Sequence, residues 1–258
     1  MKLAADSPLV DRLHPSPNVE PRRDGKQPVI LLLHYTGLPT LERSLDVLSR
    51  PDCKVSCHYV VSETGEIVQM VAERLRAWHA GVAYWAGETD INSLSIGIEI
   101  QNAGHDAGCP DFPEHQMLSV ERLCSDILAR HAIPAAGVLA HSDVAPMRKR
   151  DPGEKFPWSR LAEAGVGLWV EPTPLAAAGG GVRPGDEGPM VGEMHELLAR
   201  FGYAVPEHSR HDSESEATVR AFQRHYRPAC CDGIFDASSR ETLLRLLAVR
   251  DGGTASGS

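Results

Sequence analysis

The chain has 258 residues, 42% of them apolar and 24% charged, with a net charge of −9 and a pI near 5.7. That is enough apolar material for one domain of about 150 residues and a smaller second one, and the acidic balance excludes a basic nucleic-acid-binding face. No run is long enough for a membrane-spanning helix or anchor, and Met1–Pro8 lacks the apolar stretch of a secretory leader. With Met1 as the start, the chain is expected to remain in the cytoplasm; a removed export signal would instead place it in the periplasm or envelope.

Residues 1–27, rich in Pro, Asp and Arg, read as an extended lead-in. Pro28-Val29-Ile30-Leu31-Leu32-Leu33 is a continuous apolar run of the kind shown by a strand buried on both faces. It ends on His34-Tyr35-Thr36-Gly37, so a polar side chain emerges where an open sheet usually places its site. Thr40 to Leu48 has helical spacing, with Leu41, Leu45 and Leu48 on one face and Thr40 placed to cap it. Val55–Val61 and Ile67–Val71, joined by Glu63-Thr64-Gly65-Glu66, predict a β-hairpin whose His58 reads as a packed or surface residue. Trp78-His79-Ala80-Gly81 suits either a cleft wall that stacks on a ligand or a tryptophan plugging the core edge. Ser93 to Asn102 predicts a second apolar strand, interrupted by Glu99 between two isoleucines. A carboxylate there is costly unless it is paired or used. In an apolar cleft its pKa would rise, as suits a general base toward water; the alternative is an ion pair, for instance with Lys149.

Glu114 to Ala132 carries the stripe Leu118, Leu123, Ile127 and Leu128 and predicts a long amphipathic helix ended by Ile133-Pro134. Val138 to Ala140 returns to the sheet and runs out at His141, in a loop that reaches Lys149, Asp151 and the breaker Pro152-Gly153. An imidazole and a carboxylate supply two metal ligands, and the lysine a cation for a developing oxyanion. His34 is the candidate third ligand. Pro157 to Leu161 opens another helix. The expected fold is α/β, a mixed β-sheet flanked by helices over 28–170, because the hairpin interrupts an otherwise interleaved pattern. A Pro/Gly-rich linker over 171–188 follows. Beyond it, helical patterns over Met190–Phe201, Glu214–Tyr226 and Ser238–Leu247 predict a small three-helix domain over 189–248, suited to binding, and residues 249–258 read as a disordered tail. The six cysteines, at 53, 57, 109, 124, 230 and 231, fit no disulfide or structural-zinc spacing and read as free thiols in a reducing compartment.

Taken together, His34-Tyr35-Thr36-Gly37, Trp78-His79-Ala80-Gly81, Ser95-Ile96-Gly97-Ile98-Glu99-Ile100 and the stretch from His141 to Trp158 resemble the type-2 zinc N-acetylmuramoyl-L-alanine amidases, in their AmpD/AmiD branch. The resemblance implies a Zn2+ cofactor on His34, His141 and Asp151, with Glu99 as general base and Lys149 assisting the oxyanion. It implies Tyr35, Trp78 and His79 as substrate contacts. The implied reaction is hydrolysis of the amide between N-acetylmuramic acid, in its 1,6-anhydro form, and L-alanine, in cell-wall recycling or turnover, with peptidoglycan fragments (muropeptides) as partners. Leu197 to Tyr203 and Ala221-Phe222-Gln223 are similar to the three-helix peptidoglycan-binding domain, with departures at His208-Ser209-Arg210-His211 and Cys230-Cys231. A non-catalytic muropeptide sensor on the same fold is the alternative, favoured only if a ligand or the base were missing. The absence of an H-E-x-x-H helix argues against a common metalloprotease.

Overall fold

In the computed structural model, which describes residues 3–175 and 180–252, the chain opens with two short strands, β1 (Arg12–Leu13) and β2 (Val19–Pro21). They correct the expected lead-in. β1 adds in parallel to the sheet edge beside residues 68–69, and β2 pairs antiparallel with residues 75–77. Arg22, just beyond, is buried and donates to the backbone carbonyls of Glu73 and Ser93 at 3.1 and 2.9 Å. These strands are too short to show an alternating pattern of their own and are fixed by the edges they pair with, so nothing in the local sequence announces them.

The rest of the first domain runs β3 (Ile30–Tyr35), α1 (Leu41–Ser49), β4 (Tyr59–Val61), β5 (Ile67–Gln69), β6 (Leu75–Ala77), α2 (Ile91–Leu94), β7 (Ser95–Ile100), α3 (Glu114–Arg130), β8 (Val138–Ala140), α4 (His141–Val144) and α5 (Trp158–Glu163). Thr40 caps α1, its hydroxyl accepting from the Arg43 amide at 3.2 Å. The main sheet has the order β1-β5-β4-β7-β3-β8. Only the β4–β5 hairpin is antiparallel, so the sheet is mixed, as the sequence predicts.

The apolar run of β3 is buried on both faces because its side chains alternate between two layers. Leu31 and Leu33 join Ile96, Ile98 and Ile100 under α3, against Met117, Val120, Leu123 and Ile127. Ile30 and Leu32 face the other way, toward the helical domain. Further along the sheet, Val60 and Val68 are covered by Leu45 and Leu48 of α1.

The second domain comprises β9 (Gly181–Val182), α6 (Pro189–Phe201), α7 (Ser213–Tyr226), β10 (Phe235–Asp236) and α8 (Ala237–Arg250), with β9 and β10 paired antiparallel. The expected linker is partly docked. The Thr173 amide donates to Thr242 Oγ1 at 3.0 Å, Arg245 donates to the Glu171 carbonyl at 2.7 Å, and Gly181–Val182 is a strand; residues 176–179 of the linker lie outside the described residues. Of the expected tail, Val249 and Arg250 end α8, and 253–258 lie outside the described residues. The two domains share one core: Ile30, Leu32, Trp85, Leu139 and Val144 pack in the same cluster as Met194, Phe201, Tyr203, Phe222 and Leu246.

Candidate active site

The site lies at the carboxyl ends of β3, β7 and β8, where open sheets bind ligands. In the parallel register His34 is the partner of Glu99, and Leu33 that of Ala140, after which the chain turns into α4 at His141. The alternation that sends Ile98 and Ile100 under α3 sends Glu99 to the opposite face, beside His34. The carboxylate between two isoleucines therefore belongs to the site and not to the core.

Three donor atoms converge there. His34 Nδ1 lies 2.8 Å from His141 Nδ1 and 3.2 Å from Asp151 Oδ2, and His141 Nδ1 is 2.9 Å from the same oxygen. The outer nitrogens are engaged. His141 Nε2 donates to the Ala80 carbonyl at 3.1 Å. His34 Nε2 meets His79 Nδ1 at 3.0 Å, His79 Nε2 meets Ser95 Oγ at 3.3 Å, and that hydroxyl donates to the Ile91 carbonyl at 2.6 Å. This chain of acceptors assigns the protons to the outer nitrogens and leaves the inner Nδ1 atoms as lone-pair donors. All three residues are buried. Burial and the neighbouring His141 lower the His34 pKa to about 4, which keeps the ring neutral. Asp151 Oδ2 faces both of the inner Nδ1 lone pairs, so the three donors point at one another. Two neutral imidazoles and one carboxylate fit a divalent transition metal with an open coordination position.

A cavity of about 330 Å³ opens on this cluster, lined among others by Tyr35, Glu99, His141, Lys149 and Asp151. Glu99 Oε2 is buried without a hydrogen-bond partner. Burial, reinforced by Asp151, pushes its carboxyl well above the usual range. No ion pair joins Glu99 to Lys149 among the described residues, so the alternative reading of Glu99 fails. Tyr35 stands on the cavity wall with its hydroxyl 2.9 Å from His105 Nδ1.

The other two expected substrate contacts sit differently. His79 lines the cavity as well, but it is buried with both ring nitrogens engaged and supports the His34 ring. Trp78 is half-buried and off the cavity wall. His58 is a packed residue: its Nδ1 accepts from the Gly97 amide at 2.9 Å and its Nε2 meets the Leu75 carbonyl at 3.0 Å. A second convergence, His105, Cys109 and Glu154, has donor atoms within 4.8 Å of one another. Two of its members are already partnered: His105 Nε2 meets Glu154 at 3.0 Å, and Arg224 of α7 stands 3.7 Å from the same carboxylate.

Sequence reading missed what stands behind α4. Asp143 is fully buried. Its Oδ2 accepts from the Ala140 amide at 2.8 Å and from His225 Nδ1 at 2.6 Å, and its Oδ1 from the Tyr203 hydroxyl at 2.6 Å. The last two come from the helical domain, about 60 and 80 residues away in the chain, a separation no local pattern reports.

A family model described as N-acetylmuramoyl-L-alanine amidase matches residues 24–154, and one described as a peptidoglycan binding domain matches 187–243. The chain is 36% identical over 231 residues to N-acetylmuramoyl-L-alanine amidase AmiD of Escherichia coli K12, covering 84% of this chain and 82% of that protein. The E. coli AmiD structure, a complex with the substrate anhydro-N-acetylmuramic acid-L-Ala-D-gamma-Glu-L-Lys, superposes with a TM-score of 0.73 at 33% identity, covering 91% of this chain and 93% of that one. AMPDH3 from Pseudomonas aeruginosa superposes with a TM-score of 0.73 at 32% identity, covering 88% of this chain and 93% of that one. With the sheet, the three converging donors and both matched regions in agreement, the chain belongs to the N-acetylmuramoyl-L-alanine amidase family, with a peptidoglycan-binding domain at its carboxyl end.

Proposed function

We propose that the protein is a zinc-dependent amidase that cleaves the bond between N-acetylmuramic acid, in its 1,6-anhydro form, and L-alanine in peptidoglycan fragments during cell-wall recycling. The observation that carries this reading is the convergence of His34, His141 and Asp151, with donor atoms 2.8–3.2 Å apart, beside the unpartnered Glu99 in an open cavity. The anhydro preference draws on the ligand of the AmiD complex.

A zinc ion on His34 Nδ1, His141 Nδ1 and Asp151 Oδ2 would supply Lewis acidity toward the amide carbonyl and toward water. Glu99 takes a proton from the attacking water and returns it to the alanine nitrogen as the C–N bond breaks. Its Oε2 is free for both halves of that transfer, since no other group hydrogen-bonds to it. Lys149, on the same cavity wall, donates to the carbonyl oxygen as charge develops there. His79 and Ser95 hold the His34 ring in one orientation.

The helical domain binds muropeptide in this reading, and its own cavity of about 440 Å³, walled by Met190, Met194, Ile234 and Arg240 among others, is large enough for such a ligand. The proposed compartment is the cytoplasm, which the six unpaired thiols favour. The deciding experiment measures release of L-Ala-peptide from anhydro-muropeptide, reducing muropeptide and intact sacculus. Activity is expected to be highest on the anhydro form, to vanish on exhaustive chelation and to return with zinc. Full activity after chelation would overturn the metal assignment, and equal rates on all three substrates would overturn the anhydro preference.

A further inference from the structure

One short helix carries much of the candidate metal site. His141 opens α4, the Ser142 amide donates to the Asp151 carbonyl at 3.0 Å, and Asp143 reaches back to the Ala140 amide at 2.8 Å. Four residues thus fix the backbone at two of the three donor side chains. A four-residue helix cannot hold its own geometry, since a single turn orders several dihedrals for very little hydrogen bonding. Something outside must hold it.

The helical domain does so. Tyr203, just after α6, and His225, on α7, each donate to one oxygen of Asp143, and these bonds are wholly buried. The His225 ring is itself fixed, stacked between Trp158 at 3.6 Å and Tyr226 at 3.8 Å. A second strut runs through the Tyr84–Ala86 loop. The Tyr84 amide donates to the Val144 carbonyl and the Ala86 amide to the Gly202 carbonyl, both at 2.8 Å. Trp85 between them packs on Phe201 and Tyr203. Gly202 leaves that indole its space, because a Cβ there would sit 2.7 Å from the ring.

We infer that the carboxyl-terminal domain is part of the metal-site scaffold: Tyr203 and His225 are positioning residues that, through Asp143, hold α4 so that His141 and Asp151 keep the spacing a metal requires. This role is separate from any grip of that domain on the wall polymer, and it rests on the reading of His34, His141 and Asp151 as the metal ligands. Losing a hydrogen bond that orients a ligand typically weakens metal binding about 10- to 100-fold.

The test uses the full-length protein and measures zinc affinity by chelator competition, with thermal stability recorded alongside. Tyr203→Phe keeps the ring and removes only the hydroxyl; His225→Leu removes the second donor; His225→Asn restores a donor near the Nδ1 position. Leu246→Ala is the control, since Leu246 is buried in the same shared cluster on α8 and belongs to neither strut. Zinc affinity is expected to fall about tenfold or more in Tyr203→Phe and His225→Leu, to be largely retained in His225→Asn, and to be unchanged in Leu246→Ala despite a comparable loss of stability. If His225→Leu fails to fold, Tyr203→Phe decides. Wild-type zinc affinity in Tyr203→Phe, or an equal loss in Leu246→Ala, would overturn the inference. A wild-type chain that binds no zinc would overturn the proposed function instead, so the two failures are distinguishable.

Discussion

At the scale of single residues, the site divides its work between groups that reach the cavity and groups that only hold them. Lys149 is half-exposed at the cavity wall, so Lys149→Ala is expected to fold and keep its metal while the rate falls about 100- to 1000-fold, the usual cost of one oxyanion donor. Single-turnover kinetics with metal content checked would show it, and wild-type turnover would remove Lys149 from the mechanism. Glu99→Gln keeps the shape and loses the proton acceptor; it is expected to bind zinc normally and to turn over substrate at the detection limit. His34, His141 and Glu99 are readable from the chain because each breaks or ends an apolar run, where an unpaired polar group needs a reason, and Asp151 because it stands before the breaker Pro152-Gly153 in the loop that His141 opens. Asp143 gave no such signal. It follows His141 by two residues, and only its partners from the other domain mark it out.

At the scale of elements, the register of β3 against β7 makes His34 and Glu99 neighbours. A slip of one residue would turn one of the two to the opposite face. The strongly patterned elements, β3, β7, α3, α6 and α7, were legible because burial imposes a period on their side chains. β1, β2, β6, β9 and β10 are two or three residues each and were not, since pairing with a remote edge leaves no period to read. Glu73 shows how the sheet is tied to α3 by polar means. Its buried carboxylate accepts from Tyr59 at 2.6 Å, from Arg130 at 2.8 Å and from His131 at 2.7 Å. Burial alone would raise its pKa, but these donors outweigh it and bring it down from 4.5 to about 2. A depressed carboxyl stabilises the fold fully above its unfolded pKa and loses that contribution as pH falls through the folded one. Stability is therefore expected to decline between roughly pH 4.5 and pH 2, by about 3 kcal/mol at most from this group. Urea unfolding of Glu73→Gln across that range should show a flatter profile than wild type, and an unchanged profile would exclude Glu73 as the source.

At the scale of the whole molecule, the sheet and the helical domain bury their apolar faces in one another, so they should unfold as one unit. Calorimetry is expected to give a single transition; two resolved transitions would mean that the shared cluster contributes little. Trp85 is central to that cluster, and Trp85→Ala should cost about 3–5 kcal/mol by leaving a cavity between the domains. The Pro/Gly content of 171–188 predicts a linker between two domains, but composition cannot report that Thr173 and Glu171 dock on α8 or that Val182 pairs with Phe235.

The missing side chain at Gly97 has a cost for anyone who would alter this enzyme. A Cβ at that position would lie 2.6 Å from three atoms of the His79 ring. That ring is the prop behind His34, so even alanine on the middle of a buried strand would be transmitted, through one imidazole to the next, as a tilt of the His34 ring. Saturation of this codon should return glycine alone among active clones, although the residue has no functional group and never meets the substrate.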